Sequence, residues 1–225
     1  VWASPVVFGG MVFFGSADGR FYAVDLDTGN RRWTYEPESR IYSTAYVTAS
    51  RLYFGCSNGR VYCLDTSSGQ VIWTASTGNG IDSSPALADD TVLIGSEDFS
   101  LYAFDFGAGK IRWKYATGLG IASSPAVTGN TVFAGSKDGC LYAVDIPSGR
   151  LKWKTRLSEV ITASPVVAGP VVCIQCFDGG IYALNVKTGQ KIWKAGLGSS
   201  VQSCPVLAGS VLYMADSQGM IDALG

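Results

Sequence analysis

The side chains best suited to chemistry in this chain are a few polar and aromatic residues that do not repeat. Asp82 and Glu97 form a carboxylate pair with the groups needed for general acid–base chemistry, and Lys137 adds an ammonium group. The sequence contains no histidine, which excludes Ser-His and Cys-His nucleophiles and the usual zinc and proton-shuttle ligands. Nothing else in the sequence supports carboxylate catalysis, so these residues favour a binding site.

These residues stand out because the chain is otherwise repetitive. It consists of five complete units of forty residues and a sixth of twenty-five. Columns of proline, glycine and tyrosine keep the same register as a column of tryptophan. The tryptophans are Trp33, Trp73, Trp113, Trp153 and Trp193. Repetition of this length determines architecture before single residues are considered. We expect one domain over residues 1–225, with repeats 1–40, 41–80, 81–120, 121–160, 161–200 and a partial 201–225.

Each unit reads as four short strands joined by tight turns. In the unit 121–160, strands are expected at 121–127, 131–136, 140–145 and 150–155, and Asp138-Gly139 forms the hairpin between the second and third. Turn residues every eight to ten positions, without a 3.6-residue period, exclude helical repeats. The sequence therefore predicts an all-β protein, a β-propeller of six four-stranded antiparallel blades, with the last blade lacking its outer strand.

Two columns vary strongly while their neighbours barely change. One follows the Ile/Val column at the start of each unit, and the other opens the hairpin between the second and third strands. In a propeller, both columns are expected at the mouth of the central channel, on the same face, which makes them a candidate ligand or partner site. The selected members are Trp2, Tyr42, Asp82, Glu97, Lys137, Thr162, Phe177 and Gln202. The alternative is that exposed loop positions vary here without a function.

The turn before the fourth strand carries a family resemblance. It reads Ala-x-Asp-x-x-Ser/Thr-Gly-x-x-x-Trp in five units, with Cys63, Ala108 and Asn185 as departures. The first copy consists of Ala23, Asp25, Thr28, Gly29 and Trp33. The pattern resembles the tryptophan-docking repeat of the pyrroloquinoline-quinone (PQQ)-like β-propellers. That family includes quinoprotein alcohol dehydrogenases, the outer-membrane assembly lipoprotein of Gram-negative bacteria, and propellers fused to kinases or adenylate-forming enzymes.

The resemblance covers the whole chain and is specific for the fold. Each repeated tryptophan is expected to dock on the neighbouring blade and to bury about 150–250 Å². The function we favour is a non-catalytic binding or scaffold domain for a protein partner or an extended ligand, without a cofactor. The alternatives are a PQQ-dependent oxidoreductase and a sensor or accessory propeller of a larger enzyme, such as a kinase or an adenylate-forming enzyme.

Under the oxidoreductase alternative, the resemblance implies PQQ held with Ca²⁺ or a lanthanide, and a catalytic aspartate. Aspartates recur in the hairpins, but they lie one per unit, whereas Ca²⁺ requires six to eight oxygens that converge on one point. These aspartates are Asp18, Asp98, Asp138 and Asp178. Turn chemistry explains them better, and the unbroken register leaves no lengthened loop to build a cofactor site.

Composition excludes several classes of partner. Seventeen basic and eighteen acidic residues balance, which argues against nucleic acid and anionic lipid. No apolar run reaches the roughly 18–20 residues of a membrane span, and no basic-then-apolar leader is present. A chain that opens on Val1 is expected to be a processed product or a piece of something longer.

The six cysteines do not repeat in any column, so no disulfide design is evident. Cys173 and Cys176 form a C-x-x-C within an apolar strand, where an offset of three directs them to opposite faces. We therefore predict free, mostly buried thiols, which favour a reducing compartment such as the cytoplasm. The family resemblance instead implies the periplasm or cell envelope, so the sequence leaves the compartment open.

The sixth unit supplies three strands, expected at 201–207, 211–215 and 220–224, and stops at Gly225. The fourth strand, with its tryptophan, would follow near position 233. An edge strand without a neighbour offers unpaired N–H and C=O groups. We expect that the natural protein continues past Gly225, or that self-association or a partner's strand covers this edge.

Overall fold

A computed structural model describes residues 3–196, 204–209, 211–215 and 221–224. Every regular element in these ranges is a β-strand, and the strands form five four-stranded sheets and one three-stranded sheet. Within each sheet the strands are antiparallel and follow chain order, as in propeller blades. The predicted all-β propeller of six blades, the last without its outer strand, is confirmed.

The strands are given blade by blade. Blades 1 and 2 contain β1 (Val6–Phe8), β2 (Met11–Gly15), β3 (Phe21–Asp25), β4 (Arg31–Tyr35), β5 (Tyr46–Val47), β6 (Arg51–Cys56), β7 (Arg60–Asp65) and β8 (Val71–Ser76). Blades 3 and 4 contain β9 (Ala86–Ala88), β10 (Thr91–Ser96), β11 (Ser100–Asp105), β12 (Ile111–Ala116), β13 (Ala126–Thr128), β14 (Thr131–Gly135), β15 (Cys140–Asp145) and β16 (Leu151–Arg156). Blades 5 and 6 contain β17 (Val166–Ala168), β18 (Val171–Gln175), β19 (Gly180–Asn185), β20 (Lys191–Gly196), β21 (Val206–Ala208), β22 (Val211–Ala215) and β23 (Ile221–Leu224).

The innermost strand differs from its prediction. A strand was expected over 121–127, but β13 spans only Ala126–Thr128, so the expected start is wrong. The cause is Ser123, whose hydroxyl accepts from the Gly135 N–H at 2.9 Å and donates to the Gly135 carbonyl at 2.8 Å. A side chain thus replaces the backbone partner that an extended ladder would have supplied. The third strand matches its expected range, and the fourth begins and ends one residue later than expected.

The inner strands are joined by a chain of hydrogen bonds around the axis. In blades 1 to 5, the N–H of the residue before the inner proline column donates to the side chain of its counterpart forty residues later. The members are Ser4, Thr44, Ser84, Ser124, Ser164 and, at the end, Cys204. The first four links are 2.9–3.0 Å long, and the last, to the Cys204 Sγ, is 3.3 Å.

Four of the five docking tryptophans engage the next blade through an interlock of two contacts. The Trp153 Nε1–H donates to the Val186 carbonyl at 2.9 Å, 33 residues later. Its ring lies on Gly189, where an added Cβ would meet the indole at 2.6 Å. Equivalent hydrogen bonds join three further pairs: Trp33 to Thr66, Trp73 to Phe106, and Trp113 to Ile146. We call the glycine under each docked indole its socket. Glycine is required there both for space and for its positive φ, which is +70° at Gly189.

Trp193 is placed differently from the other four. Its side chain is 39% exposed, and its indole has no hydrogen-bond partner among the described residues. In blade 1, an added Cβ on Gly29 would meet no atom within 4 Å, so this socket holds no indole.

A second interlock lies nearer the axis. Gly55 packs on Ile81 of the next blade, where an added Cβ would come within 2.2 Å of the isoleucine Cγ2. The same contact recurs at three further pairs: Gly15 and Ile41, Gly95 and Ile121, and Gly135 and Ile161. The core therefore consists of separate apolar layers between blades, such as the one containing Phe21 and Phe54. In blade 5 this column holds Gln175, which is fully buried and whose amide atoms have no hydrogen-bond partner among the described residues.

The cysteines are free, as the sequence predicted. Four are buried, Cys140 is half-buried, and Cys204 is exposed. Cys173 packs in the layer between blades 5 and 6, and Cys176 packs in the layer between blades 4 and 5, so the C-x-x-C thiols point to opposite faces. None of the described segments forms a helix long and apolar enough to cross a membrane.

The motif aspartates hold their own turns. The Asp65 carboxylate accepts from the N–H and hydroxyl groups of both Ser67 and Ser68, at 2.6–3.1 Å, and these bonds lower its pKa to about 2. Asp25 behaves alike: its hydrogen bond from Arg32, followed by those from Thr28, lowers its pKa to about 2. Asn185 accepts equivalent N–H bonds in blade 5, which shows that a neutral amide also fits the turn.

These lowered pKa values predict acid lability. A carboxylate whose pKa is lower in the folded state contributes stability above its unfolded pKa of about 3.9, and that stability is lost as the pH falls towards its folded pKa. We expect the urea unfolding midpoint to fall between about pH 4 and about pH 2. Asp65→Asn should keep the turn, as Asn185 does, and should flatten part of that fall. Asp27→Asn, at an exposed position, is the control; identical pH curves for Asp65→Asn and the parent would contradict the prediction.

Candidate functional site

Two sets of loops meet on one face of the blades. The hairpins between the second and third strands lie at the same strand ends as the connections to the next blade, because successive strands are antiparallel. The two sets are joined by backbone hydrogen bonds, from Glu97 N–H to the Gly80 carbonyl and from Lys137 N–H to the Gly120 carbonyl, both at 2.9 Å. We call this side the mouth face. The turns between third and fourth strands lie on the opposite face.

Three of the predicted site residues come together on the mouth face. The Lys137 ammonium of blade 4 contacts both Glu97 carboxylate oxygens of blade 3, at 2.7 and 2.8 Å. The Asp82 carboxylate lies beside this pair, and the Ser57 hydroxyl of blade 2 is 3.5 Å from it. The cluster of Asp82, Glu97 and Lys137 spans blades 3 and 4, and Ser57 adds a contact from blade 2. It contains two carboxylates and one ammonium group, so one negative charge is left uncompensated.

The electrostatic environment of Asp82 differs from that of the turn aspartates. Loss of hydration raises the pKa of this carboxyl, and the neighbouring Glu97 charge raises it further, while Lys137 and Ser57 partly offset these effects. The side chain is nevertheless exposed on the mouth face. An incoming cation would therefore relieve an unfavourable charge. The Glu97 carboxylate is already neutralised by Lys137, so Asp82 is the group with unused capacity for a positively charged partner.

Of the other predicted site residues, the structure describes Tyr42, Thr162 and Phe177. Tyr42 is half-buried, and its hydroxyl lies 3.4 Å from an Arg40 guanidinium nitrogen. Thr162 is half-buried at the start of blade 5. Phe177 is 44% exposed and lines a cleft of about 560 Å³ together with residues 156–160 and Asp178. Trp2 and Gln202 lie outside the described residues.

The hairpin aspartates serve structural contacts. In blade 4, the Asp138 carboxylate accepts from the Tyr142 hydroxyl at 2.6 Å, the Cys140 N–H at 2.9 Å and the Gly118 N–H at 2.9 Å. Equivalent tyrosine contacts are made by Asp18, Asp98 and Asp178. These contacts also explain the tyrosine column. Within the described residues, no group of three or more His, Cys, Asp or Glu side chains is placed to hold a metal ion.

Two exposed apolar residues of the mouth face were missed by the sequence reasoning. Phe99 at the blade 3 hairpin is 48% exposed, and Leu119 in the following connection is 45% exposed. A signal for Phe99 was present in the sequence, because glycine occupies this column at positions 19, 59, 139 and 179. Phe99 lies two residues after Glu97, outside the two columns from which the site was predicted.

Comparison with known proteins agrees with this architecture. The chain matches the family model described as outer membrane protein assembly factor BamB over residues 1–48 and 36–224. A search of curated proteins gives no match. The crystal structure of BamB from Moraxella catarrhalis superposes with a TM-score of 0.85 at 26% identity, covering 96% of this chain and 70% of that chain.

Two structures of lower sequence identity show a similarity of fold alone. The computationally designed Ika8 protein has a TM-score of 0.88 at 19% identity, covering 98% of this chain and 70% of that one. The quinohemoprotein alcohol dehydrogenase ADHIIG from Pseudomonas putida HK5 has a TM-score of 0.75 at 17% identity, covering 87% of this chain and 42% of that one. With its family model matched along nearly all its length, the chain belongs to the PQQ-like β-propeller family of the outer membrane protein assembly factor BamB.

Proposed function

We propose that this chain is a non-catalytic β-propeller that binds another protein through its mouth face, in the assembly of outer membrane proteins. The observation that carries the proposal is the cluster of Asp82, Glu97 and Lys137, which brings unrepeated charges from two blades together on one exposed face. Exposed aromatic side chains on the same face, Phe99 and Phe177, supply the apolar area that protein interfaces use. The name of the matched family adds support, since assembly requires contact with other proteins.

Site-specific photo-crosslinking tests this proposal in cells that make the full-length protein. A photoreactive amino acid at Thr162 or Tyr42, on the mouth face, is expected to trap the same protein from both positions. The matched controls are Asp27 and Lys187, which lie in exposed turns on the opposite face. Equal trapping from both faces, or trapping only from the controls, would overturn the proposal.

The rival function is a PQQ-dependent oxidoreductase, and the mouth-face residues do not fit its cofactor. Ca²⁺ takes six to eight oxygen ligands, whereas both Glu97 oxygens already accept from Lys137 and Asp82 is the only other carboxylate in the cluster. Addition of PQQ and Ca²⁺, followed by absorption spectroscopy of the dialysed protein, separates the two functions. We expect no retained chromophore; a stoichiometric one would favour the enzyme.

The outer side of β23 in blade 6 is a second candidate contact for a partner. In the described part of the chain, no strand pairs with the outer side of β23, and Ile221 on this strand is 72% exposed. A strand from a second copy or from another protein would complete the sheet, as in β-strand addition. Light scattering of the purified protein would report a second copy as a dimer.

A further inference from the structure

The hairpin apex of blade 3 carries a bulky residue in a conformation that favours glycine. Phe99 has a φ of +70°, and the equivalent φ values in the other described hairpins, from +73° to +86°, all belong to glycine. These residues are Gly19, Gly59, Gly139 and Gly179. A phenylalanine in the left-handed region is strained, because its Cβ crowds the adjacent carbonyl oxygen. Glycine at position 99 would therefore be the more stable choice for the fold alone.

The same hairpin also lacks a hydrogen bond that its siblings make. In blades 1, 4 and 5, the aspartate Oδ1 accepts from the N–H two residues later, at 2.9–3.0 Å. In blade 3, the Asp98 Oδ1 has no hydrogen-bond partner among the described residues, and the side chain is only 9% exposed. The sequence change at the apex thus carries two local penalties. Penalties of this kind persist where the residue serves a purpose other than stability.

The apex is nevertheless held rigidly. The Phe99 carbonyl accepts from the Thr117 N–H at 2.7 Å and from the Thr117 hydroxyl at 2.9 Å. The same hydroxyl is 2.7 Å from the Leu119 carbonyl, which also accepts from the Ser136 hydroxyl at 3.0 Å. The two backbone segments that carry these exposed apolar side chains are therefore ordered. An ordered backbone loses little entropy when a partner covers it.

Charge beside the apex defines what the partner must bring. Glu97 lies two residues before Phe99 and is paired with Lys137, which leaves Asp82 as the uncompensated carboxylate of the cluster. A partner that buried this region without a cation would leave a carboxylate desolvated and unpaired, which is costly. The complementary surface is an apolar side chain next to a lysine or an arginine.

We propose that Phe99 is the anchor of the mouth-face interface, and that its partner is a protein segment with an apolar side chain flanked by a lysine or an arginine. This inference rests on the proposed protein-binding function. It adds the chemistry of the recognised segment and the residue that contributes most to affinity. Aromatic anchors of this type commonly dominate interface energetics.

A phage-displayed library of random peptides, selected on the intact protein, tests the inference. We expect the enriched peptides to carry an apolar residue beside a basic one. Phe99→Gly should weaken their binding by about thirtyfold or more, as for loss of an aromatic anchor, while the unfolding temperature stays equal or rises. Asp82→Asn should weaken binding less and should reduce its dependence on salt. Enriched peptides without basic residues would overturn the proposed chemistry.

Asp89→Gly is the matched control for replacing a non-glycine residue of positive φ by glycine. Asp89 also has a positive φ, +49°, but it lies in the turn between β9 and β10 on the opposite face. Its replacement should leave peptide binding unchanged. Ala122 follows Ile121 as Asp82 follows Ile81, so Ala122→Arg places a bulky charge at the equivalent mouth-face position of blade 4. Peptide binding that is lost with Ala122→Arg but retained with Phe99→Gly would leave the mouth-face function standing and refute the anchor. Peptides that tolerate both changes would refute both.

Discussion

Trp153→Ala is expected to lower the free energy of unfolding by about 3–5 kcal/mol, the range for large-to-small changes in a core. Trp153 is 9% exposed, its ring lies tilted against Phe133 with centroids 5.6 Å apart, and its Nε1–H donates to the Val186 carbonyl at 2.9 Å. Its removal leaves a cavity over Gly189 and a carbonyl without its donor. Urea unfolding of the parent and the variant measures the difference.

Trp193→Ala provides the matched control. This tryptophan has the same position in its blade, but it is 39% exposed and has no hydrogen-bond partner among the described residues. We expect a loss below about 1 kcal/mol, as for other surface substitutions. Equal losses for Trp153→Ala and Trp193→Ala would show that the tryptophan column does not stabilise the fold by docking on the next blade.

Gly55→Ala is expected to cost about 1–3 kcal/mol by overpacking the contact between blades 2 and 3. The new Cβ would lie 2.2 Å from the Ile81 Cγ2 and 3.1 Å from the Ile94 Cδ1. Gly196→Ala is the control, because a Cβ there meets nothing within 4 Å. Both glycines lie outside the left-handed region, so the comparison isolates the steric contact.

A double-mutant cycle tests the cause of the Gly55→Ala effect. Ile81→Ala removes the atom that the new methyl group would strike, although it also leaves a cavity of its own. We therefore expect the double variant to be more stable than the sum of the two single losses predicts, with a coupling of roughly 0.5 kcal/mol or more. Simple additivity, measured by urea unfolding, would contradict the close contact.

Much of the fold could be predicted from the sequence because each blade repeats the same local signals. The third strand of blade 4, Cys140–Asp145, was predicted correctly because the Asp-Gly hairpin and the motif turn limit it at both ends. The inner strand was misplaced because apolar residues such as Ile121 also pack between blades without joining a ladder. The role of Ser123 in replacing ladder contacts depends on a residue twelve positions away, which no local pattern reveals.

The candidate site could be predicted in part. Variation within the two columns predicted Asp82, Glu97 and Lys137, which lie together on the mouth face. It could not show that Lys137 neutralises Glu97 and leaves Asp82 exposed, since that depends on side-chain geometry between blades. Phe99 was missed because its significance lies in a backbone angle, +70°, that a substitution pattern alone does not disclose.

The interlock between tryptophan and glycine has a consequence for how such a chain grows. Trp113 docks on Gly149 of the following blade, while Gly109 of its own blade receives the indole of Trp73. Each blade thus carries both halves of the joint. When a gene segment is duplicated or deleted in whole units, the chain gains or loses one docking tryptophan together with one glycine socket. Recombination between repeats can therefore change the number of blades without any new interface having to evolve.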